Sequence, residues 1–287
     1  LGQPQFHATV IEDVLVIENV SGNGFTVTSA TATGGTALVS PSLARIATRL
    51  AGINYYGIGT LNINLGSGAD VVNVQGTSAW TNLYTNGDDD RIYVSSEANL
   101  GLTDYTDRLM GQLYDIEGLL NIDAGTGSNL LMISDEADTV ADTEVLMTDQ
   151  LDSAQARMAD VPQSDIYLAG LAPALITYSA DAAGSFAQGV TIWAGFGNDV
   201  IEIDGAHLRE GVRTITTFNT GLGNDTVTVD LDADDGFFVL NTQGAYNEFL
   251  EFEDDDVVDT SDSSRSINIF GGQGQDRITS GAGDDLI

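Results

Sequence analysis

Apolar and polar positions alternate with period two in short runs along the whole chain. Leu61-Asn-Ile-Asn-Leu65, Val71-Val-Asn-Val74, Arg91-Ile-Tyr-Val94, Val200-Ile-Glu-Ile203, Thr226-Val-Thr-Val229 and Ser266-Ile-Asn-Ile-Phe270 are the clearest, and β-branched residues dominate them. Successive side chains of a strand point to opposite faces, so these runs predict half-buried strands with one face on a core. Val14-Leu-Val-Ile17 and Phe25-Thr-Val-Thr28 predict strands near the start, and Ser42 to Leu50 predicts a short helix that covers an open sheet end. Thr103 to Leu119 and Thr148 to Asp160 are helix-compatible polar stretches, expected to bulge from the strand array.

Seven short glycine turns border these strands, and most end in an aspartate followed at once by apolar residues. They are Leu65-Gly-Ser-Gly-Ala-Asp70, Thr85-Asn-Gly-Asp-Asp-Asp90, Ala124-Gly-Thr-Gly-Ser-Asn129, Ala194-Gly-Phe-Gly-Asn-Asp199, Thr220-Gly-Leu-Gly-Asn-Asp225, Gly271-Gly-Gln-Gly-Gln-Asp276 and Ser280-Gly-Ala-Gly-Asp-Asp285. Recurring turns of this kind predict an all-β chain coiled as a parallel β-helix, or β-solenoid, with ion-binding turns. Spacing sets the coil width. A tight β-roll advances about nine residues per half-turn, a step that only Asp276 to Asp285 shows. Asp70 to Asp90 is 20 residues and Asp199 to Asp225 is 26, which suits two or three strands per coil with the glycine turn recurring at one corner. The expectation is a wide β-helix with a tighter β-roll at its C-terminal edge.

The organisation follows: residues 1–60 a strand-rich region that caps the solenoid, 61–147 a first block, 148–185 an irregular connection or insertion, and 186–287 a second block. Ile53-Asn-Tyr-Tyr with the Asp70 and Asp90 turns also parallels Ile176-Thr-Tyr-Ser with the Asp199 and Asp225 turns, which suggests a longer repeat.

Composition sharpens the chemistry. The formal charge is −34, from 43 acidic against 9 basic residues. Every basic residue is an arginine, and there is neither lysine nor cysteine. A field of this sign repels nucleic acid and anionic lipid, attracts cations, and destabilises the compact state by self-repulsion. No apolar run approaches the roughly 20 residues that span a bilayer, so no membrane insertion is expected. The chain begins without Met or a basic segment and stops within a glycine turn, so it reads as part of a longer protein, with any signal peptide outside it.

The turns explain the cation. Paired glycines admit positive φ, the loop turns carbonyls inward, and the aspartate adds a hard charged oxygen. Calcium takes six to eight such oxygens at about 2.3–2.6 Å, more than one turn supplies but within reach of two stacked turns. Strands stack about 4.7–4.9 Å apart, and two carboxylates at that spacing repel by about 3 kcal/mol at an effective dielectric near 20. A few such pairs rival the stability of a whole domain, about 5–15 kcal/mol, so calcium between them is expected to be a condition of folding. The predicted ligand residues are Gly66, Gly68, Asp70, Gly195, Gly197, Asp199, Gly221, Gly223, Asp225, Gly272, Gly274, Asp276, Gly281, Gly283 and Asp285. Asn129 lacks the carboxylate, and Gly87 is the lone glycine of the Asp90 turn, so both depart from the pattern. The acidic run Phe249 to Asp256 reads as a solvated loop, with a further calcium site as the alternative.

Gly271-Gly-Gln-Gly-Gln-Asp276-Arg-Ile278, running into Gly281-Ala-Gly-Asp-Asp285-Leu286, resembles the nonapeptide of the repeats-in-toxin (RTX) family of secreted bacterial proteins. The match is good over about 17 residues. The Asp70, Asp199 and Asp225 turns are looser, with Leu65, Ala194 and Thr220 where the family has its first glycine. The wider alternation resembles very large bacterial surface proteins with degenerate repeats of this type. The resemblance implies secretion, calcium and a surface or matrix role.

Catalytic motifs are sparse. His-Glu-x-x-His and Gly-x-Ser-x-Gly are absent, and His207 with Arg209 and Arg213 is the basic cluster near a repeat turn. Trp80 and Trp193 suit core packing, or sugar stacking if exposed. Asn19 and Asn224 fit the glycan-acceptor triplet, the second overlapping a calcium turn. The chain therefore reads as a non-enzymatic extracellular structural segment of an adhesin, matrix or filament, rigidified by calcium and able to self-associate end to end. The alternative is a carbohydrate-active β-helix enzyme or its targeting module.

Overall fold

The computed structural model describes residues 6–11, 14–19, 53–55, 57–158, 160–243 and 254–287. The chain divides into two compact units, residues 1–59 and 60–287. In the first, β1 (Phe6–Ile11) and β2 (Val14–Asn19) are antiparallel, and β3 (Ile53–Tyr55) runs parallel to β2. The strand expected at Phe25 to Thr28 and the helix expected at Ser42 to Leu50 lie outside the described residues.

The second unit is two sheets between which the chain shuttles. It passes from β4 (Thr60–Asn64) in the first sheet to β5 (Val71–Val74) in the second. It repeats this with β6 (Trp80–Tyr84) and β7 (Arg91–Val94), then with β8 (Leu120–Asp123) and β9 (Gly127–Ser134). Next come β10 (Val145–Thr148), the helix α1 (Leu151–Arg157), β11 (Ile166–Ala169) and β12 (Ile176–Ser179), with all three strands in the first sheet. Alternation resumes with β13 (Gly184–Trp193) in the second sheet and β14 (Val200–Asp204) in the first, then β15 (Ile215–Asn219) and β16 (Thr226–Val229). It ends with β17 (Phe237–Asn241), β18 (Val257–Asp259), β19 (Ile267–Phe270) and β20 (Arg277–Thr279). The fold is all-β apart from one seven-residue helix among the described residues.

The first sheet has the order β4-β6-β8-β12-β11-β10-β14-β16-β18-β20, and the second β5-β7-β9-β13-β15-β17-β19. Every pair is parallel except those made by β11, which runs against β10 and β12. After β9 the chain overshoots the next place in the first sheet, lands beside what becomes β14, and meanders back through β11 to β12, which pairs with β8. All other strands of a sheet share one direction. Connections leaving the first sheet therefore lie along one long edge, and connections returning to it lie along the other.

The period-two pattern produces the core. In β14, β16 and β19 alternate residues are buried, and the registers stack like on like. Ile201, Val227, Val258 and Ile278 form one file, and Ile192, Phe218, Leu240 and Ile269 another. One apolar cluster containing both files fills the space between the sheets. Strands β10 and β11 are buried on both faces, because α1 covers the outer face of the first sheet with Ala154, Leu151 and Met158 against Leu119, Leu146, Tyr167 and Trp80. The stretch 103–119, expected to favour helix, is irregular instead. It closes the outer face of the second sheet, where Leu109 joins Tyr93, Ala98 and Met132, with Trp193 packed alongside. Both tryptophans thus pack on apolar clusters, and the Trp80 indole N–H donates to Asn82 Oδ1 at 2.9 Å.

The Asp199 and Asp225 turns stack so closely that side chains have no room, whereas Gly66 and Gly68 of the Asp70 turn face open space. A Cβ on Gly221 would stand 1.8 Å from the Gly195 carbonyl oxygen, and one on Gly223 would stand 1.9 Å from that of Gly197. Both glycines also hold positive φ, 99° and 135°. Gly223→Ala adds a backbone clash to left-handed strain, so we expect it to lower stability by at least about 2 kcal/mol, read as a fall in the denaturant midpoint at saturating divalent ion.

Candidate functional site

The aspartates that end the turns form two hydrogen-bonded ladders, one on each long edge. In the first, Asp70 N–H donates to Asp90 Oδ1 at 2.8 Å, and Asp90 N–H donates to Asn129 Oδ1 at 3.0 Å. These residues sit where the chain enters β5, β7 and β9. In the second, Asp142 N–H donates to Asp199 Oδ1 at 2.8 Å and Asp199 N–H to Asp225 Oδ1 at 2.9 Å. Asp225 N–H donates to Asp256 Oδ1 at 2.8 Å and Asp256 N–H to Asp276 Oδ1 at 3.1 Å. Asp199, Asp225, Asp256 and Asp276 sit where the chain enters β14, β16, β18 and β20. The sequence separations along the ladders run 20, 39, 57, 26, 31 and 20. The length of chain between ladder residues varies while their hydrogen-bonded stacking is kept.

Asp90, Asp199, Asp225 and Asp256 each accept one ladder hydrogen bond through Oδ1 and leave Oδ2 bare. Oδ2 of Asp90, Asp142, Asp199, Asp225 and Asp256 is buried with no hydrogen-bond partner, as is Oδ2 of Asp254. Asp90, Asp199, Asp225 and Asp256 are at most 1% exposed. Among the described residues no arginine or histidine pairs with them; the ion pairs there are Arg108–Glu136 and Asp165 with His207 and Arg209. Burying an unpaired charge is expensive, and the group responds by holding its proton. Burial pushes the Asp142 and Asp225 carboxyls up to about 7, with the charge of Asp199 adding to the rise in both. Burial likewise lifts Asp256 to about 6, and raises Asp90, Asp199 and Asp254. Thr85, Thr220 and Thr242 stand beside Asp90, Asp225 and Asp256 and counter part of the rise.

Asn129 shows the same corner without the charge. Its Oδ1 accepts the Asp90 N–H, and its Nδ2 donates to the Ala124 carbonyl at 3.2 Å. The amide hydrogens take the place that a cation or proton must take at an aspartate.

The loop after β9 carries a further group. One carboxylate oxygen from each of Asp135, Asp138 and Asp142 lies within 4.8 Å of the others, an arrangement that can hold a metal ion. Leu113 N–H donates to Asp135 Oδ1 at 2.7 Å, and Val140 N–H to Asp138 Oδ1 at 3.0 Å, where the Tyr114 hydroxyl also donates. Burial pushes Asp135 up to about 7, and the bond to Asp138 holds the Tyr114 phenol up at about 12.

The expected ligand residues are dispersed by this geometry. Gly66, Gly68 and Asp70 lie on the first edge. Gly195, Gly197, Asp199, Gly221, Gly223, Asp225, Gly272, Gly274 and Asp276 lie on the second. Gly281, Gly283 and Asp285 return to the first, where Asp285 Oδ1 accepts the Ile267 N–H at 2.9 Å. The turns thus occupy both edges rather than one corner, and the apparent longer repeat places its two copies on opposite sides. The Gly87 and Gly195 carbonyls accept the N–H groups of Gly68 and Leu222 in the neighbouring turns. The acidic run read as a solvated loop ends in buried Asp254 and Asp256. Asp256 stands directly before Val257-Val258, the aspartate–apolar junction of the other turns without their glycines, and that junction was the available signal. Asp135, Asp138 and Asp142 were announced only by their spacing behind the apolar run Leu130 to Ile133.

Of the basic cluster, His207 Nε2 and Arg209 Nη2 face Asp165 Oδ2 at 3.3 and 3.2 Å. Burial alone would raise the Asp165 carboxyl, but His207, the Ala180 N–H and Arg209 outweigh it and hold it low. Arg213 turns away, its guanidinium 5.1 Å from the Phe237 ring centre. Asn19 ends β2, and Asn224 Oδ1 accepts the Asp255 N–H at 3.0 Å. Among the described residues no helix is long and apolar enough to cross a membrane. Compared with protein-family models, curated proteins and solved structures, the chain finds no match.

Proposed function

We propose that this chain is a non-enzymatic structural segment of an extracellular surface, matrix or filament protein: a two-sheet β-solenoid, RTX-like in its turns, folded and stiffened by calcium. The observation that carries the reading is the file of buried aspartate oxygens without partners along the second edge, with Asp90 its counterpart on the first. Calcium fits them because it is a hard divalent ion that prefers carboxylate and carbonyl oxygen and tolerates irregular geometry. Free calcium is plentiful outside cells and scarce in cytosol, which favours an extracellular site. The C-terminal turns at Asp276 and Asp285, on alternate edges, are where the tighter β-roll of the family resemblance fits best. The burial of His207 supports a packing role for the His207–Arg209–Asp165 group.

The outer edges of β4, β5 and β20, which pair with no further strand among the described residues, make end-to-end self-association the partner mode to test; the outer edge of β19 is already bridged by Leu286. A glycan on Asn224 would compete with its bond to Asp255. The test is a calcium titration from a chelated start, followed by circular dichroism and small-angle scattering. We expect the strand signal to grow and the radius of gyration to fall with calcium, and magnesium, which demands stricter geometry, to act more weakly. Further growth into long particles supports the filament form. A strand signal and size that ignore calcium overturn the reading.

A further inference from the structure

The geometry points to a separate cation site in the loop after β9, built by Asp135, Asp138 and Asp142 beside the Asp199 turn, that takes a hard divalent ion and fastens this overshooting loop to the turn below it. The three carboxylates converge within 4.8 Å, but convergence of acids is not the argument. Asp135 is fully buried, and its Oδ2 has no partner. Asp199, a fourth carboxylate from a different turn, is 1% exposed, rests its Oδ1 on the Asp142 N–H, and likewise leaves Oδ2 bare. The Oδ1 atoms of Asp135, Asp138 and Asp199 are already engaged by backbone N–H groups of Leu113, Val140 and Asp142 and, at Asp138, by the Tyr114 hydroxyl. Such fixed outer partners orient the remaining oxygens as they do around bound metals.

The donor set is all oxygen and anionic, which selects calcium-like ions over softer metals. Its place in the topology gives it a task. This loop carries no glycine turn, yet it forms the head of the second ladder: the Asp138 carbonyl accepts the Phe196 N–H at 2.6 Å, and the Asp142 carbonyl the Val200 N–H at 2.8 Å. An ion there ties the connection that skips ahead in the first sheet to the coil it must rest on.

The site carries its own reporter, because the Tyr114 phenol touches a ligand carboxylate. Terbium, a calcium-sized ion with oxygen preference, is expected to luminesce on tyrosine excitation, and Tyr114→Phe to remove most of that emission while circular dichroism stays unchanged. Asp135→Asn with Asp138→Asn is expected to weaken ion binding there by more than the roughly 10–100-fold that loss of an outer partner costs, and to lower the calcium count in equilibrium dialysis by one. Asp276→Asn, at the far end of the ladder, is expected to leave the Tyr114-dependent emission intact. The inference stands apart from calcium at the glycine turns: if those bind nothing, Tyr114-dependent emission still appears. Emission indifferent to Tyr114→Phe, or an unchanged calcium count in the folded double variant, overturns it.

Discussion

In chelator, the protein is expected to be more stable at pH 5 than at pH 8, the reverse of the usual acid sensitivity. Asp135, Asp142 and Asp225 hold protons up to about pH 7 in the fold, and Asp256 up to about 6, whereas in the unfolded chain an aspartate ionises near 3.9. A carboxyl raised on folding favours the folded state below its unfolded value, and that contribution is lost as pH rises through the folded value. The loss therefore falls between about pH 4 and 7, where the ion-free fold takes up charge it cannot neutralise. For the set the effect is on the order of several kcal/mol, enough to unfold a domain of ordinary stability. Saturating calcium is expected to replace the protons and invert the trend, because acid would then compete with the ion for the same oxygens. Thermal melts across pH, with and without chelator, read both arms. A chelated protein that melts higher at pH 8 than at pH 5 refutes the account.

The second large effect comes from exchanging amide and carboxylate at a ladder corner. Asn129 satisfies its corner with its own NH2 group, and Asp225 stands five residues beyond Thr220 as Asn129 does beyond Ala124. Asp225→Asn keeps the Oδ1 that accepts the Asp199 N–H, supplies hydrogens where a bare oxygen was buried, and removes one charge from the file. We expect the ion-free form to gain about 1–3 kcal/mol, the desolvation cost of an unsatisfied buried group, and the calcium-induced gain to shrink by a comparable amount. Asn129→Asp is the converse: a less stable chelated protein with a larger response to calcium. Equal shifts in the chelated and calcium forms of either variant would mean that the second oxygen meets no ion.

Strand positions and glycine turns were legible because they depend on neighbours in sequence. Val200-Ile-Glu-Ile203 can bury only alternate residues, and Gly221 can adopt positive φ wherever it sits. Burial on both faces of β10 and β11 was not legible in this way, since it needs α1 to arrive from outside. Nor was the irregular 103–119 stretch, whose polar sequence favours helix locally while Leu109 answers to Met132 and Tyr93 across the sheet.

The primary structure alone determined an acidic, all-β chain with carboxylates placed before apolar strands, because composition, period-two alternation and left-handed glycine corners are properties of adjacent residues. Only the folded arrangement decided which aspartates become neighbours. The connections between paired strands vary in length, and the β10–β11–β12 meander sets how strands share a sheet, so Asp142 meets Asp199 across 57 residues, while Asp276 and Asp285, nine apart, go to opposite edges. The capacity of these carboxylates to share an ion depends on distances between neighbouring strands, and those are fixed by pairing across the sheet rather than by spacing along the chain.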